Sequence, residues 1–147
     1  MIDLAPNIRA FIFSDSTITN ALSTHNASKS VFPRRPVPED VAYPFIVVSP
    51  QIASTEGDFV DRLVRSQTYD IAVYGQNDTA ANYRATEAIA FAVQSRFARL
   101  AGCEFEMPTG WGLIQATATG PIPFPEDDLT KVARGVTVTF TIHKDTN

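Results

Sequence analysis

Alternation near the end of the sequence constrains the fold more than any other feature. Val132, Val136, Val138, Phe140 and Ile142 fall on one side of an extended chain, and Thr137, Thr139 and Thr141 fall on the other. Successive side chains of a strand point to opposite faces. The pattern therefore predicts a strand over residues 129–143 with one face in a core and one toward water. A strand of that kind cannot stand alone. It needs strands beside it and an apolar layer above it.

The remaining segments supply both. Residues 63–74 read as a long partner strand, with Leu63, Tyr69, Ile71 and Val73 on one face and Ser66, Thr68 and Asp70 on the other. Residues 112–119 alternate Leu113 and Gln115 against Ile114 and Ala116. Residues 43–49 are continuously apolar and β-branched after Pro44, which predicts a strand buried on both faces.

The covering layer comes from helices. Over residues 79–100, Ala85, Ile89, Val93 and Phe97 form an apolar stripe supported by Ala88, Ala92 and Leu100, while Arg84, Glu87 and Gln94 point elsewhere. Asn77 or Asp78 would cap its start, and Gly102 its end. At the N-terminus Asp3 caps a helix that holds Pro6 in its first turn and carries Leu4, Ile8, Phe11 and Ile12. A short second helix begins at Ser16 and carries Ile18, Ala21 and Leu22. Residues 23–30, 54–61 and 120–128 are small, polar or proline-rich and read as loops. Pro33, Pro36 and Pro38 keep the arm between them out of helix and out of any central strand. The expected fold is a single α+β domain over residues 1–147. Its mostly antiparallel, mixed sheet of about four to five strands is flanked by an N-terminal helix and one long helix.

At 147 residues the chain can bury about two-thirds of its unfolded surface, so a core needs neither disulfides nor metals. Its net charge of −4 lacks the footprint of a protein that grips nucleic acid. Cys103 is the only cysteine, which points to a reducing compartment and excludes an internal disulfide. No signal peptide is evident, and the longest apolar runs are far too short to span a bilayer.

Nucleophilic chemistry needs a base within reach, yet the only histidines are His25 in a polar stretch and His143 near the end. Glu126, Asp127 and Asp128 lack the alternating ligands and central glycine of a calcium loop. Gly110-Trp111-Gly112 has no lysine and no following helix with which to cradle a phosphate. No catalytic residue, metal or cofactor is therefore expected, although two carboxylates brought together by the fold stay open as an acid/base pair.

Several pieces taken in order resemble a known pattern. They are Val31-Phe32-Pro33, then Tyr43-Pro44-Phe45-Ile46-Val47-Val48, then the arginine-led strand from Arg65 to Tyr74. The alanine-rich helix of residues 80–100 follows, and the closing strand from Arg134 to Ile142 completes the set. The order resembles the tail completion, or tail-terminator, proteins of long-tailed phages and gene transfer agents. That resemblance implies a virion subunit assembled in the host cytoplasm. Copies would form a ring, usually a hexamer, that caps the tail tube, stops its polymerisation and joins it to the head-tail connector or stopper. DNA would pass through the lumen, where a neutral or acidic lining avoids holding phosphates.

On this reading the interface residues are Phe32, Arg34 and Arg35 on the arm, together with Glu56, Asp58, Phe59 and Asp61 in the second polar stretch. Phe124, Glu126, Asp127 and Asp128 in the third complete the set. The partners would be further copies of the chain, the tube protein and the connector, with no membrane. Alternatives are another head-tail joining subunit (connector, head-completion or neck) and a small cytoplasmic enzyme.

Overall fold

A computed structural model describes residues 2–33, 37–59, 62–100, 105–126 and 128–145, with the backbone alone at 55–59, 62 and 145. The first helix is α1 (Ala5–Phe13), whose N-cap position is Leu4 and not Asp3, although Asp3 Oδ1 accepts from the Ala5 N–H at 3.0 Å and Pro6 sits in the first turn. Ile8, Phe11 and Ile12 are buried, as their spacing predicts. Helix α2 (Ser16–Thr19) is a single turn capped by Asp15, which accepts from the Thr17 and Ile18 amides.

Residues 23–30 are not a loop. They form a two-stranded ribbon of β1 (Thr24–His25) and β2 (Ser28–Lys29), with Asn26 and Ala27 at φ 50° and 63° in its turn. Two left-handed residues match the twist of flanking strands, which lets this polar segment fold locally. The ladder is too short to leave a periodic signal in the sequence.

Six further strands make one sheet: β3 (Val31–Phe32), β4 (Phe45–Val48), β5 (Ala53–Phe59), β6 (Arg62–Gln76), β7 (Trp111–Pro123) and β8 (Lys131–Asp145). The order is β3-β4-β6-β8-β7, and β5 also pairs with β6. Strands β3 and β4 run parallel and every other pair is antiparallel, so the sheet is mixed as expected. Strands β4 and β5 lie end to end along one side of β6, against residues 71–74 and 62–68. Along its other side, β8 pairs with all fifteen residues of β6.

Helix α3 (Ala80–Ala98) packs over β6, β7 and β8. Its cap is Thr79, whose hydroxyl accepts from the Asn82 amide, and not Asn77 or Asp78. The expected stripe holds at Ile89, Val93 and Phe97 and turns only toward its start. Thr86, Ile89, Ala90, Val93 and Phe97 are buried, whereas Ala85 and Ala88 are exposed. Gly75 on β6 explains the turn, because a Cβ there would lie 1.7 Å from Thr86 Oγ1. The missing side chain leaves the space that Thr86 fills. Glu87 and Gln94 do reach the sheet: Glu87 accepts from Arg134 Nε at 3.2 Å, and Gln94 donates to the Ala118 carbonyl at 3.2 Å. Gly102 lies outside the described residues.

Strand β5 occupies most of the polar stretch that reads as a loop. Glu, Gly and Asp are poor strand formers, but a seven-residue ladder against β6 outweighs that local preference. Strand β7 departs twice from expectation. A register shift at Ile114 moves Leu113, Ala116 and Ala118 onto the core side and leaves Ile114 half exposed. The strand then continues through Pro121 to Pro123 after a second shift, a course open to prolines because β7 is an edge.

The main core lies between the helices and the sheet. It includes Ile8, Ile71, Val93, Phe97, Val138 and Phe140. Within it Tyr69 and Gln67 are fully buried and form a polar chain. The Tyr69 hydroxyl accepts from the Leu4 amide at 2.9 Å and donates to Gln67 Oε1 at 3.0 Å, while Gln67 Nε2 donates to the Ile2 carbonyl at 3.2 Å. Burial raises the Tyr69 phenol above its ordinary value, partly offset by the Leu4 amide.

Candidate functional site

The face of the sheet away from the helices divides into two regions. At the end where β6 finishes and β8 begins, a second small core forms from Phe45, Val47, Ala72, Tyr74 and Ala133. Phe45 stacks on Tyr74 with ring centres 5.1 Å apart. This cluster explains why β4 is buried on both sides: Ile46 and Val48 belong to the main core, Phe45 and Val47 to the second.

Phe32 and Phe124, both expected at an interface, pack against this second core. Phe32 meets Phe45 edge-on at 6.0 Å and His25 at 5.9 Å. The Phe124 ring sits where a Cβ on Gly135 would stand, 2.0 Å from its Cε1, and the Phe124 amide donates to the Ala133 carbonyl at 3.0 Å. The proline-rich segment is thereby clamped onto β8. Beyond it, Glu126 accepts from the Asp128 amide at 3.3 Å, and Asp128 Oδ1 takes both the Thr130 amide at 2.9 Å and its hydroxyl at 2.7 Å. Those Thr130 bonds hold the Asp128 carboxyl below its ordinary range, and Asn82 does the same for Asp78 nearby. Both are fully exposed and stay charged into mild acid.

Of the other expected interface residues, Arg34, Arg35, Asp61 and Asp127 lie outside the described residues. Glu56, Asp58 and Phe59 fall on β5, in register with Arg65, Leu63 and Arg62 of β6. The structure thus divides the three groups between two ends of the sheet. Phe32, Glu126 and Asp128 share one end, and the β5–β6 ladder occupies the other.

Between these ends the second region of the face is open, and almost free of charge. Cross-strand register builds three rows over β6, β8 and β7: Asp70, Thr137 and Thr119; Thr68, Thr139 and Thr117; Ser66, Thr141 and Gln115. The hydroxyls bond one another, Thr68 to Thr139 at 3.1 Å, and Thr137 donates to Asp70 Oδ1 at 2.7 Å. Asp70 is the sole charged member of these rows, and its acceptor capacity is partly used. Sequence reasoning found the outward threonines of β8 but did not assemble them with β6 and β7 into one surface. Strand pairing is what joins them.

Among the described residues the two histidines lie apart. His25 lies beside Phe32 with Asp40 Oδ1 4.0 Å from its Nδ1, at one end of the sheet. His143 lies across Gly112 at the other end, its Nε2 2.4 Å from where a Gly112 Cβ would be. Cys103 lies outside the described residues. Among the described residues no three of His, Cys, Asp and Glu gather as metal ligands, and no helix is long and apolar enough to cross a membrane. One shallow concavity, lined by Asp3, Arg65, Trp111 and Lys144, places the arginine and lysine 5.4 and 5.7 Å from the Trp111 ring centre.

No protein-family model and no curated protein matches the sequence. Solved structures do match. One similar chain belongs to the virion of a native gene transfer agent particle, at a TM-score of 0.72 and 13% identity. The alignment covers 96% of this chain and 95% of that one.

The two chains share a fold. Coverage near completion on both sides means that the whole element order is common to them, not one supersecondary piece. At 13% identity the likeness extends to the backbone path and not to individual surface side chains.

Proposed function

We propose that this chain is a structural subunit of a tailed-phage or gene-transfer-agent virion, and that within the virion it is the tail terminator. Copies form a ring, a hexamer on this reading, that caps the tail tube, stops its growth and receives the head-tail connector. The observation that carries the reading is the end-to-end likeness of fold to a chain of a gene transfer agent virion particle. The work is binding and geometry, with no bond made or broken.

The open threonine face supports the reading and gives it a surface. DNA must slide through the lumen, and a lining of hydroxyls without lysine or arginine offers phosphates no counter-charge to release ions against. We assign the rows from Asp70 to Gln115 to the lumen and the helices to the outside of the ring. The β5–β6 ladder (Glu56, Asp58 and Phe59) and the opposite end (Glu126 and Asp128) then point along the axis toward the tube and the connector, while interface roles for Arg34, Arg35, Asp61 and Asp127 rest on the sequence alone. Phe32 and Phe124 contribute chiefly by holding that second end in shape.

Imaging particles made with and without the gene tests this directly. Overlong, headless tubes in its absence, restored to fixed length by the added protein, are the expected result. Tails of normal length that fail to join heads would move the chain to the head side of the joint. Normal virions would end the structural reading altogether.

A further inference from the structure

We infer that the ring closes by strand addition: the outer edge of β7 of one copy pairs antiparallel with the outer edge of β5 of the next, continuing one sheet around the axis. The inference rests on the ring reading, but its content comes from the edges of the sheet.

Among the described residues β5 pairs only with β6 and β7 only with β8, so each leaves a free edge. The two edges lie at the same level. Residues 53–58 of β5 index to 63–68 of β6, which index to 139–144 of β8 and then to 111–117 of β7. Strand direction also fits. Strands β6 and β7 run one way and β5 and β8 the other, so a rotated copy necessarily offers its β5 antiparallel to β7. Each copy supplies one edge of each kind, which is the head-to-tail arrangement that closes a ring.

The other half of each side is protected. Beyond Thr119, β7 shifts register and carries Pro121 and Pro123, which cannot donate to a ladder. Strand β4 is covered by β3. Neither 53–59 nor 111–119 contains a proline. Half-exposed Ile52 lies just before the first stretch and Ile114 within the second, at 53% and 51%. Protection that stops where the levels match is what a used edge requires.

Cross-linking in assembled particles tests the junction. With Cys103→Ser as background, Ala53→Cys is combined in turn with Gln115→Cys, Thr117→Cys or Thr119→Cys, all exposed positions on the open face. Within one copy these sites lie three strand spacings apart, about 14 Å, too far for a disulfide. Oxidation should give, for at least one pair, a ladder of multiples of the 16.1 kDa subunit up to the full ring. Ala53→Cys alone should stay monomeric on a denaturing gel. Particles that contain the chain yet give only monomer for all three pairs would overturn the junction while leaving the ring. Equal cross-linking by the single variant would overturn it as well, since that signals a face-to-face contact. A chain absent from particles would remove the proposed function and this inference together. Amide exchange on the unaltered chain is the second measurement. Amides of 53–59 and 111–119 should exchange at least tenfold more slowly in particles than in the free chain, and unchanged rates in both strands would also overturn the junction.

Discussion

The phenol of Tyr69 ties the N-terminal segment to the centre of the sheet. Tyr69→Phe keeps the ring and removes the hydroxyl, leaving the Leu4 amide and Gln67 Oε1 buried without that partner. The expected cost is about 1–3 kcal/mol, read as a fall in melting temperature of about 2–4 °C per kcal/mol. The pH dependence has a definite sign. The folded phenol titrates above its ordinary 10.0 because burial disfavours the charged form. Its contribution is therefore fully present below pH 10 and is lost as pH rises through the raised folded value. Alkaline unfolding curves above pH 10 should be shallower in the variant than in the unaltered chain. The sequence placed Tyr69 on the core face, since alternation reports the side of the strand. It could not show the partners, which are Gln67 on the same face and backbone some 65 residues away.

Among elements, β6 and β8 were readable because one face is apolar and the other is not, over 68–71 and 136–142. Strand β5 was not, since what makes it a strand is the neighbour it pairs with and not its own Ser-Thr-Glu-Gly-Asp composition. Helix α3 was readable in extent and at Ile89, Val93 and Phe97, but not in its first turns. Alanine is nearly indifferent between core and water, so Ala85 and Ala88 carried no orientation, and the hole at Gly75 decided it instead. Phe124 belongs to the same class. Its seat is the bare backbone of Gly135, eleven positions on, and nothing local in a Pro-Ile-Pro-Phe-Pro run announces it. Phe124→Ala and Gly135→Ala should each release the clamp, at about 1–2 kcal/mol for a partly buried ring. The double variant should cost little more than either alone, because both remove the same contact. Chemical denaturation of the three variants checks this, and fully additive losses would contradict the clamp.

For the whole molecule, a sheet covered on one face and largely bare on the other must be explained by what the bare face does. On the proposed reading its rows of threonine line the DNA channel, and their charge can be changed with little effect on the core. Thr139→Lys or Thr141→Lys on the central strand β8 would place one ring of positive charge in the lumen. Particles carrying either should assemble at normal length and release DNA about tenfold more slowly at low salt, with the defect shrinking as salt rises. Release unchanged at every salt concentration would take this face out of the lumen.

The central claim is a place in the particle, and locating the chain there is the most direct test. Particles in which this chain alone carries a small electron-dense label should show one compact cluster per virion, at the head-proximal end of the tail, and no label elsewhere. Label spread along the tube, scattered over the head shell, or missing from intact particles would contradict the terminator account.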